Sequence, residues 1–266
     1  MSDIVMVKLG GSLITDKSRP FTEKINVIKR LAKEIHEARK ESKLSIILGH
    51  GGGSYPHEPA KKYQTHKGMS GPDSMRGLSL VQDAAARLNR IIVRALIDAG
   101  ENAISVNPSS CTIAENSRIM EWYTKPLEKY IEYRMLPVVY GDAGIDSRQG
   151  FCILSTEELF YYLSKKLKPF KIIMCGKTDG VFTADPNRHP DARHIPEITP
   201  RNYSEIGKFL TNSDGIDVTG GMSLKVKRAV ELAEDGIETH IINGTRPGNL
   251  RKSLLGHEIM KTVIKS

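Results

Sequence analysis

The sequence predicts an α/β fold, a three-layer αβα sandwich with a largely parallel central sheet. Short apolar runs of strand length alternate with longer stretches of helical periodicity along the 266 residues, the order that builds a parallel sheet covered on both faces. Glycine-rich turns follow strands or precede helices at three places, and in open α/β sheets ligands collect at the strands' carboxyl ends. No internal repeat or low-complexity segment interrupts the pattern, so one domain over residues 1–266 is expected.

The first strand is Ile4–Leu9, with the run Ile4-Val5-Met6-Val7 ahead of Lys8. It ends in Gly10-Gly11-Ser12, where missing Cβ atoms let a ligand approach the backbone. Lys8 stands at the mouth of that turn, and Thr15-Asp16-Lys17 adds a second cation. Residues 24–40 place Ile25, Ile28, Leu31, Ile35 and Ala38 on one helical face. The apolar run 44–48 is a buried strand. It feeds Gly49-His50-Gly51-Gly52-Gly53-Ser54-Tyr55-Pro56-His57. Three successive glycines allow backbone N–H groups to converge as an anion-binding nest, and His57 follows close enough to face the same anion. Residues 57–63 read as a helical turn and 68–72 as loop. Residues 77–99 form a long helix whose Leu78, Val81, Ala85, Leu88, Ile92 and Leu96 share a face.

Strands are expected over 103–106, 137–140 and 151–154, and a helix over 124–133 with Thr124 as its N-cap. Ser155-Thr156-Glu157-Glu158 is a capping-box pattern, with Ser155 and Glu158 as the reciprocal pair; its helix runs to about residue 167. A strand over 171–175 precedes Gly176-Lys177-Thr178-Asp179-Gly180. The loop 214–221 contains Asp217-Val218-Thr219-Gly220-Gly221 and leads into a helix over 222–235 with Lys225 in its first turn. Glycines before a helix N-terminus, with a first-turn lysine, suit phosphate. Strands over 239–242 and near 258–264 complete the chain.

Hydrophobic residues at 39% and charged residues at 26% are ordinary for a globular protein. No apolar run approaches the roughly 18 residues needed to span a bilayer, and the N-terminus lacks a basic-then-apolar leader; a cytoplasmic protein without a membrane partner is expected. Cys111, Cys152 and Cys175 form no CxxC pair, which favours buried free thiols over disulfides or zinc. The net charge of +8 raises a nucleic-acid reading. The lysines are scattered and no zinc-finger or RNP motif is present, so no nucleic-acid partner is expected. Lys165, Lys166, Lys168 and Lys171 read as a solvated helix end favoured by the dipole. Neither GxxxxGK[ST] nor GxGxxG occurs, so the phosphate loops are neither a P-loop nor a Rossmann fingerprint.

These motifs resemble the amino acid kinase superfamily and, within it, the isopentenyl phosphate kinases. The resemblance runs from Lys8-Leu9-Gly10-Gly11-Ser12-Leu13-Ile14-Thr15-Asp16-Lys17 through the loop 50–57 and Tyr140-Gly141-Asp142. It continues through Thr178-Asp179-Gly180-Val181-Phe182 and Asp185-Pro186 to Asp217-Val218-Thr219-Gly220-Gly221-Met222 with Lys225, and Ile242-Asn243-Gly244. The glycine loop ending in a histidine looks like the phosphate-acceptor signature shared with fosfomycin kinases. Two departures stand out. Thr156-Glu157 replaces the family's Gly-Asp after Ser155, and Lys177 interrupts the nucleotide-side motif, usually Thr-Asp-Val-Asp-Gly.

The resemblance implies ATP with Mg²⁺ and phosphoryl transfer to isopentenyl phosphate, feeding isoprenoid synthesis. It implies a lobe over about residues 1–168 for the acceptor, one over about 169–266 for the nucleotide, and a homodimer. Catalytic roles fall to Lys8, Lys17, His57, Glu157 and Lys225. Gly52, His57 and Thr156 would bind the acceptor. Lys8, Gly10, Gly11, Ser12, Gly53, Asp179, Gly221 and Lys225 would line the ATP, with no carboxylate cluster set aside as a metal cage. The alternatives are a kinase of another small phosphate or phosphonate, such as fosfomycin, and a catalytically silent nucleotide-sensing domain.

Overall fold

The computed structural model describes residues 4–186, 188–211 and 221–266. Strand β1 (Ile4–Leu9) passes through one short turn, α1 (Gly11–Ile14), into helix α2 (Ile25–Glu41). Strand β2 (Ser45–His50), helices α3 (Ser54–Lys62) and α4 (Ser74–Asp98), and strand β3 (Ala103–Ser105) follow. A hairpin of β4 (Thr112–Glu115) and β5 (Arg118–Trp122) precedes α5 (Lys125–Glu132). Then come β6 (Leu136–Tyr140), β7 (Asp142–Asp146), β8 (Gly150–Leu154) and α6 (Thr156–Leu167). Strand β9 (Lys171–Gly176) leads to three short strands, β10 (Val181–Phe182), β11 (His194–Ile195) and β12 (Glu197–Ile198). Helices α7 (Tyr203–Thr211) and α8 (Gly221–Ala233), strand β13 (Glu238–Asn243), helix α9 (Asn249–Leu254) and strand β14 (Lys261–Ile264) complete it.

The main sheet has eight strands in the order β12-β14-β13-β9-β1-β2-β6-β3. Its centre is parallel, and the edge strands β14 and β12, parallel to each other, run antiparallel to it. Side chains alternate across each strand, and the two faces are separate cores. Val5, Val7 and Leu9 of β1, with Ile46 and Leu48 of β2, pack against α2, α4 and α9. Met6, Ile47, Ile172 and Met174 face the opposite way, against α6 and α8. The three-layer αβα expectation is met.

The four-stranded sheet β5-β4-β7-β8 is not foreseen by the sequence reading. Its hairpin turns on Asn116 and Ser117, both left-handed at φ 49° and 62°. This is the pattern of a type I′ turn, written without the usual glycine. Three smaller expectations need correction or refinement. Thr124 is the N-cap residue of α5 as expected, but its hydroxyl donates to the Glu128 carboxylate at 2.6 Å and accepts from no backbone amide of the helix. Lys171 is no solvated lysine: its stem lies in the core and Nζ donates to the Ser253 carbonyl at 2.9 Å. Cys152 and Cys175 are buried thiols, whereas Cys111 is half-exposed. The loop expected over 214–220 lies outside the described residues.

Register explains where the glycine loops meet. Leu9 of β1 stands opposite His50 of β2 and Cys175 of β9. His50 in turn stands opposite Tyr140 of β6. The turns after these four strands therefore emerge together at the carboxyl edge of the sheet.

Candidate active site

The turns after β1 and β2 touch backbone to backbone. A Cβ added to Gly11 would lie 2.5 Å from the Gly53 nitrogen. Gly53 has φ +55°, and its Cβ would lie 2.1 Å from Thr15 Oγ1. Both positions require glycine, one for approach and the other for conformation as well. Thr15 stitches the contact: its Oγ1 donates to the Gly11 carbonyl at 2.8 Å and accepts from the Ser54 amide at 2.9 Å. Among the described residues, the Gly52 and Gly53 amides have no protein acceptor. Gly10 differs, because its amide donates to the Cys175 carbonyl at 2.9 Å. It can line a phosphate only by leaving room, not by donating.

His50 anchors the second loop from beneath. It is fully buried, with Nδ1 3.1 Å from the Gly51 carbonyl and Nε2 3.2 Å from Asn89 Nδ2. Asn89 Oδ1 accepts from Ser105 at 2.6 Å, which aims the amide nitrogen at the ring. Burial pushes the imidazole down to about 4, against a smaller upward pull from the Gly51 carbonyl. The ring is thus neutral at pH 7. The His50 carbonyl accepts from Gly141 N at 2.9 Å and Thr156 Oγ1 at 2.7 Å. Sequence reasoning assigned nothing to His50; its buried strand end beside three glycines is the available signal.

Helix α6 brings the acidic group. Ser155 caps it, accepting from Glu158 N at 3.1 Å. The reciprocal half of the expected capping box is absent: the Glu158 carboxylate instead accepts from Ile119 N at 3.2 Å and pairs with Arg228 at 2.5 Å. Glu157 points the other way and forms an ion pair with Lys8, both side chains being largely buried. Burial raises the Glu157 carboxyl, but Lys8 and then Lys225 pull it to a net position below the usual carboxylate value. Among the described residues, Lys8 and Glu157, 149 positions apart, thus pair, and Lys225 of α8 acts on the same carboxylate.

His57 occupies the second turn of α3, half-buried, and Lys17 is exposed on the loop after Thr15. Helix α3 begins earlier than expected, at Ser54, and carries Pro59 inside it. Gly221 opens α8. Asp179 lies in the turn after β9, where Arg246 donates to its carboxylate at 2.7 Å. It is engaged by that arginine and not by the lysine cluster. Among the described residues, no group of three or more His, Cys, Asp or Glu side chains could hold a metal. No helix among them is long and apolar enough to cross a membrane.

The family model for the amino acid kinase family matches residues 3–243. This chain belongs to the amino acid kinase family. Within that family it is 36% identical to the isopentenyl phosphate kinase of Methanothermobacter thermautotrophicus, over 98% of each chain. It is 31% identical to the isopentenyl phosphate kinase of Methanocaldococcus jannaschii, over 95% of each. A solved isopentenyl phosphate kinase superposes with a TM-score of 0.84 at 32% identity, covering 98% of this chain and 100% of that one. Carbamate kinase from Giardia lamblia has a TM-score of 0.74 at 17% identity, which shows that the family fold is shared beyond close relatives.

Proposed function

We propose that this protein transfers the γ-phosphoryl group of ATP to isopentenyl phosphate, giving isopentenyl diphosphate. The observation that carries the reading is the Lys8–Glu157–Lys225 cluster at the same sheet edge as two abutting glycine loops. It is supported by likeness to isopentenyl phosphate kinases over nearly the whole chain.

The reaction brings two anions together, so the protein's task is positioning and charge neutralisation. An acceptor phosphate has a second pKa near about 6 and is mostly dianionic at neutral pH; it needs no strong general base. In this reading His57 binds and orients the acceptor phosphate, with the Gly52 amide beside it and Thr156 buttressing the loop through the His50 carbonyl. The Gly53 amide, with Gly11, Ser12 and Gly221, faces the ATP phosphates. Gly10 adds close approach only. Lys8 and Lys225 clamp the transferring group and Lys17 stabilises charge as it develops. Glu157 keeps the two clamp lysines in one arrangement, and Asp179 serves the nucleoside side. Mg²⁺ arrives with the ATP, held by phosphates and water, since hard oxygen ligands of that kind suit it. The reading includes an acceptor lobe over about residues 1–168, a nucleotide lobe over about 169–266, a homodimer and a cytoplasmic location.

Turnover of ATP against isopentenyl phosphate, dimethylallyl phosphate, fosfomycin and carboxylate amino acids tests the substrate. Isopentenyl phosphate should give the highest kcat/KM; preference for a carboxylate would overturn the reading. His57→Ala should lower kcat/KM for the phosphate acceptor by about 2–4 kcal/mol, the scale of one preorganised charge-stabilising contact. Unchanged kinetics in the folded variant would remove His57 from the site.

A further inference from the structure

The loop that carries Lys17 is fastened to the second glycine loop by groups with no part in the chemistry above. Thr15 and Glu23 form an antiparallel bridge that closes it. The Asp16 amide donates to the Thr22 carbonyl at 2.8 Å, and the Asp16 carboxylate accepts from Ser18 N and Oγ at 3.0 and 2.7 Å. Across the gap, Phe21 N donates to the Ser54 carbonyl at 3.4 Å and Thr22 N to Ser54 Oγ at 3.2 Å. Ser54 and Tyr55 begin α3 directly after Gly53.

The strongest fastening is a side-chain latch. Tyr55 is 4% exposed, and its hydroxyl donates to Glu23 Oε2 at 2.6 Å. Phe21 packs edge-on against the Tyr55 ring at 5.5 Å, and the Arg87 guanidinium of α4 sits 5.3 Å above the Phe21 ring. Burial, then the bond to Glu23, raises the Tyr55 phenol well above its usual value, so it stays a donor at any assay pH. Phe21 reaches its place only by adopting φ +48°, an outlier for a bulky side chain. Such strain persists where surrounding contacts over-determine it. Here they are the Tyr55 ring, Arg87 and the Ser54 carbonyl.

Resting on the kinase reading above, we propose that Tyr55 is a positioning residue: its bond to Glu23 fixes the Lys17 loop against the glycine loop, so that Lys17 meets the transferring phosphoryl group already placed. A lysine on an exposed loop has many rotamers and a moving base. Latching the base removes the second freedom before substrate arrives, which is the entropic part of orientation. Tyr55 does not touch the reacting atoms and acts through Lys17.

A double-mutant cycle tests this. Tyr55→Phe keeps the ring and removes the hydroxyl; Glu23→Gln keeps the shape and weakens the acceptor. Each should lower kcat between about 10- and 100-fold, the cost of misplacing a catalytic group by a fraction of its reach. KM for ATP and the melting temperature should change little. In a Lys17→Met background, Tyr55→Phe should cost nothing further. Hydrogen exchange in Tyr55→Phe should quicken at the Asp16, Phe21 and Thr22 amides and nowhere else. Full kcat in Tyr55→Phe, an equal loss in the Lys17→Met background, or full activity of Lys17→Met itself would each overturn the inference. If the wild type leaves isopentenyl phosphate unchanged, the substrate reading fails on its own. The exchange experiment then still decides the latch, and unchanged protection in Tyr55→Phe and Glu23→Gln would overturn it.

Discussion

The two sides of the first turn of α6 hold the same residue type in different company. Glu157 faces the sheet edge, where Lys8 and Lys225 act on one carboxylate. Glu158 faces outward beneath β5, where Arg228 and Arg118 meet Glu158 and Glu231. The outer cluster is balanced, two cations to two carboxylates, and is further satisfied by the Ile119 amide and by stacking of Arg228 over Tyr161 at 4.5 Å. In the inner cluster, among the described residues, two lysines from different elements act on one carboxylate. Burial drives both carboxyls up; the lysines reverse this for Glu157, while Glu158 stays above its usual value. Burial alone does not separate a structural ion cluster from a binding one. Place does: the inner cluster lies at the sheet edge where the two glycine loops abut, and the outer one lies beneath β5.

Removing each carboxylate separately should split stability from catalysis. Glu158→Gln leaves Arg228 short of a buried partner and should destabilise the fold by about 3 kcal/mol, the low end for breaking a buried pair. The folded fraction should keep its kcat. Chemical denaturation with activity assayed on the same samples checks both halves. A loss of kcat without loss of stability would dissolve the distinction between the two sides.

Glu157→Gln should do the reverse. It should slow phosphoryl transfer by about 10- to 100-fold through misplaced lysines, with a smaller effect on KM for ATP. Glu157→Asp should retain more activity than Glu157→Gln, since it keeps the charge. Wild-type rates in the glutamine variant would reduce Glu157 to a first-turn residue favoured by the helix dipole.

Asp142 sharpens the comparison, being a buried carboxylate with no cation beside it among the described residues. Burial lifts it to about 6, against weaker downward pulls from Ser109 and the Ala143 amide. Its folded pKa lies above the ordinary carboxylate value. The stability it contributes is therefore full below that value and lost as pH rises through about 6. Asp142→Asn should raise stability at pH 8 by about 1 kcal/mol, with the gain fading between pH 6 and 4. Melting curves across that window check it; a gain independent of pH would point to a packing effect.

The parallel centre of the fold was legible because its strands are short apolar runs between helices of clear period. The small sheet was not. Ala143 and Gly144 are weak strand formers, and the β4–β5 turn lacks the glycine that normally marks such a turn. The site was legible in part. Glycines and lysines mark themselves by adjacency to strand ends, and the resemblance named Glu157. The lysines that act on that carboxylate come from two other elements, and no spacing rule joins Lys8 to a residue 149 positions away. His50 was passed over for a related reason. A histidine ending a strand reads as solvated until the fold shows Asn89 and Ser105 enclosing it. The Glu158 cap was misjudged because a distant arginine competes with the local backbone and wins.

The seam between Gly11 and Gly53 limits how such a protein can be re-engineered. Neither glycine can take a side chain while the other loop stays where it is. A swap of the second loop for that of a relative must therefore bring the first with it. Any relative movement of the two loops must likewise hinge elsewhere, because at this seam there is no slack to bend.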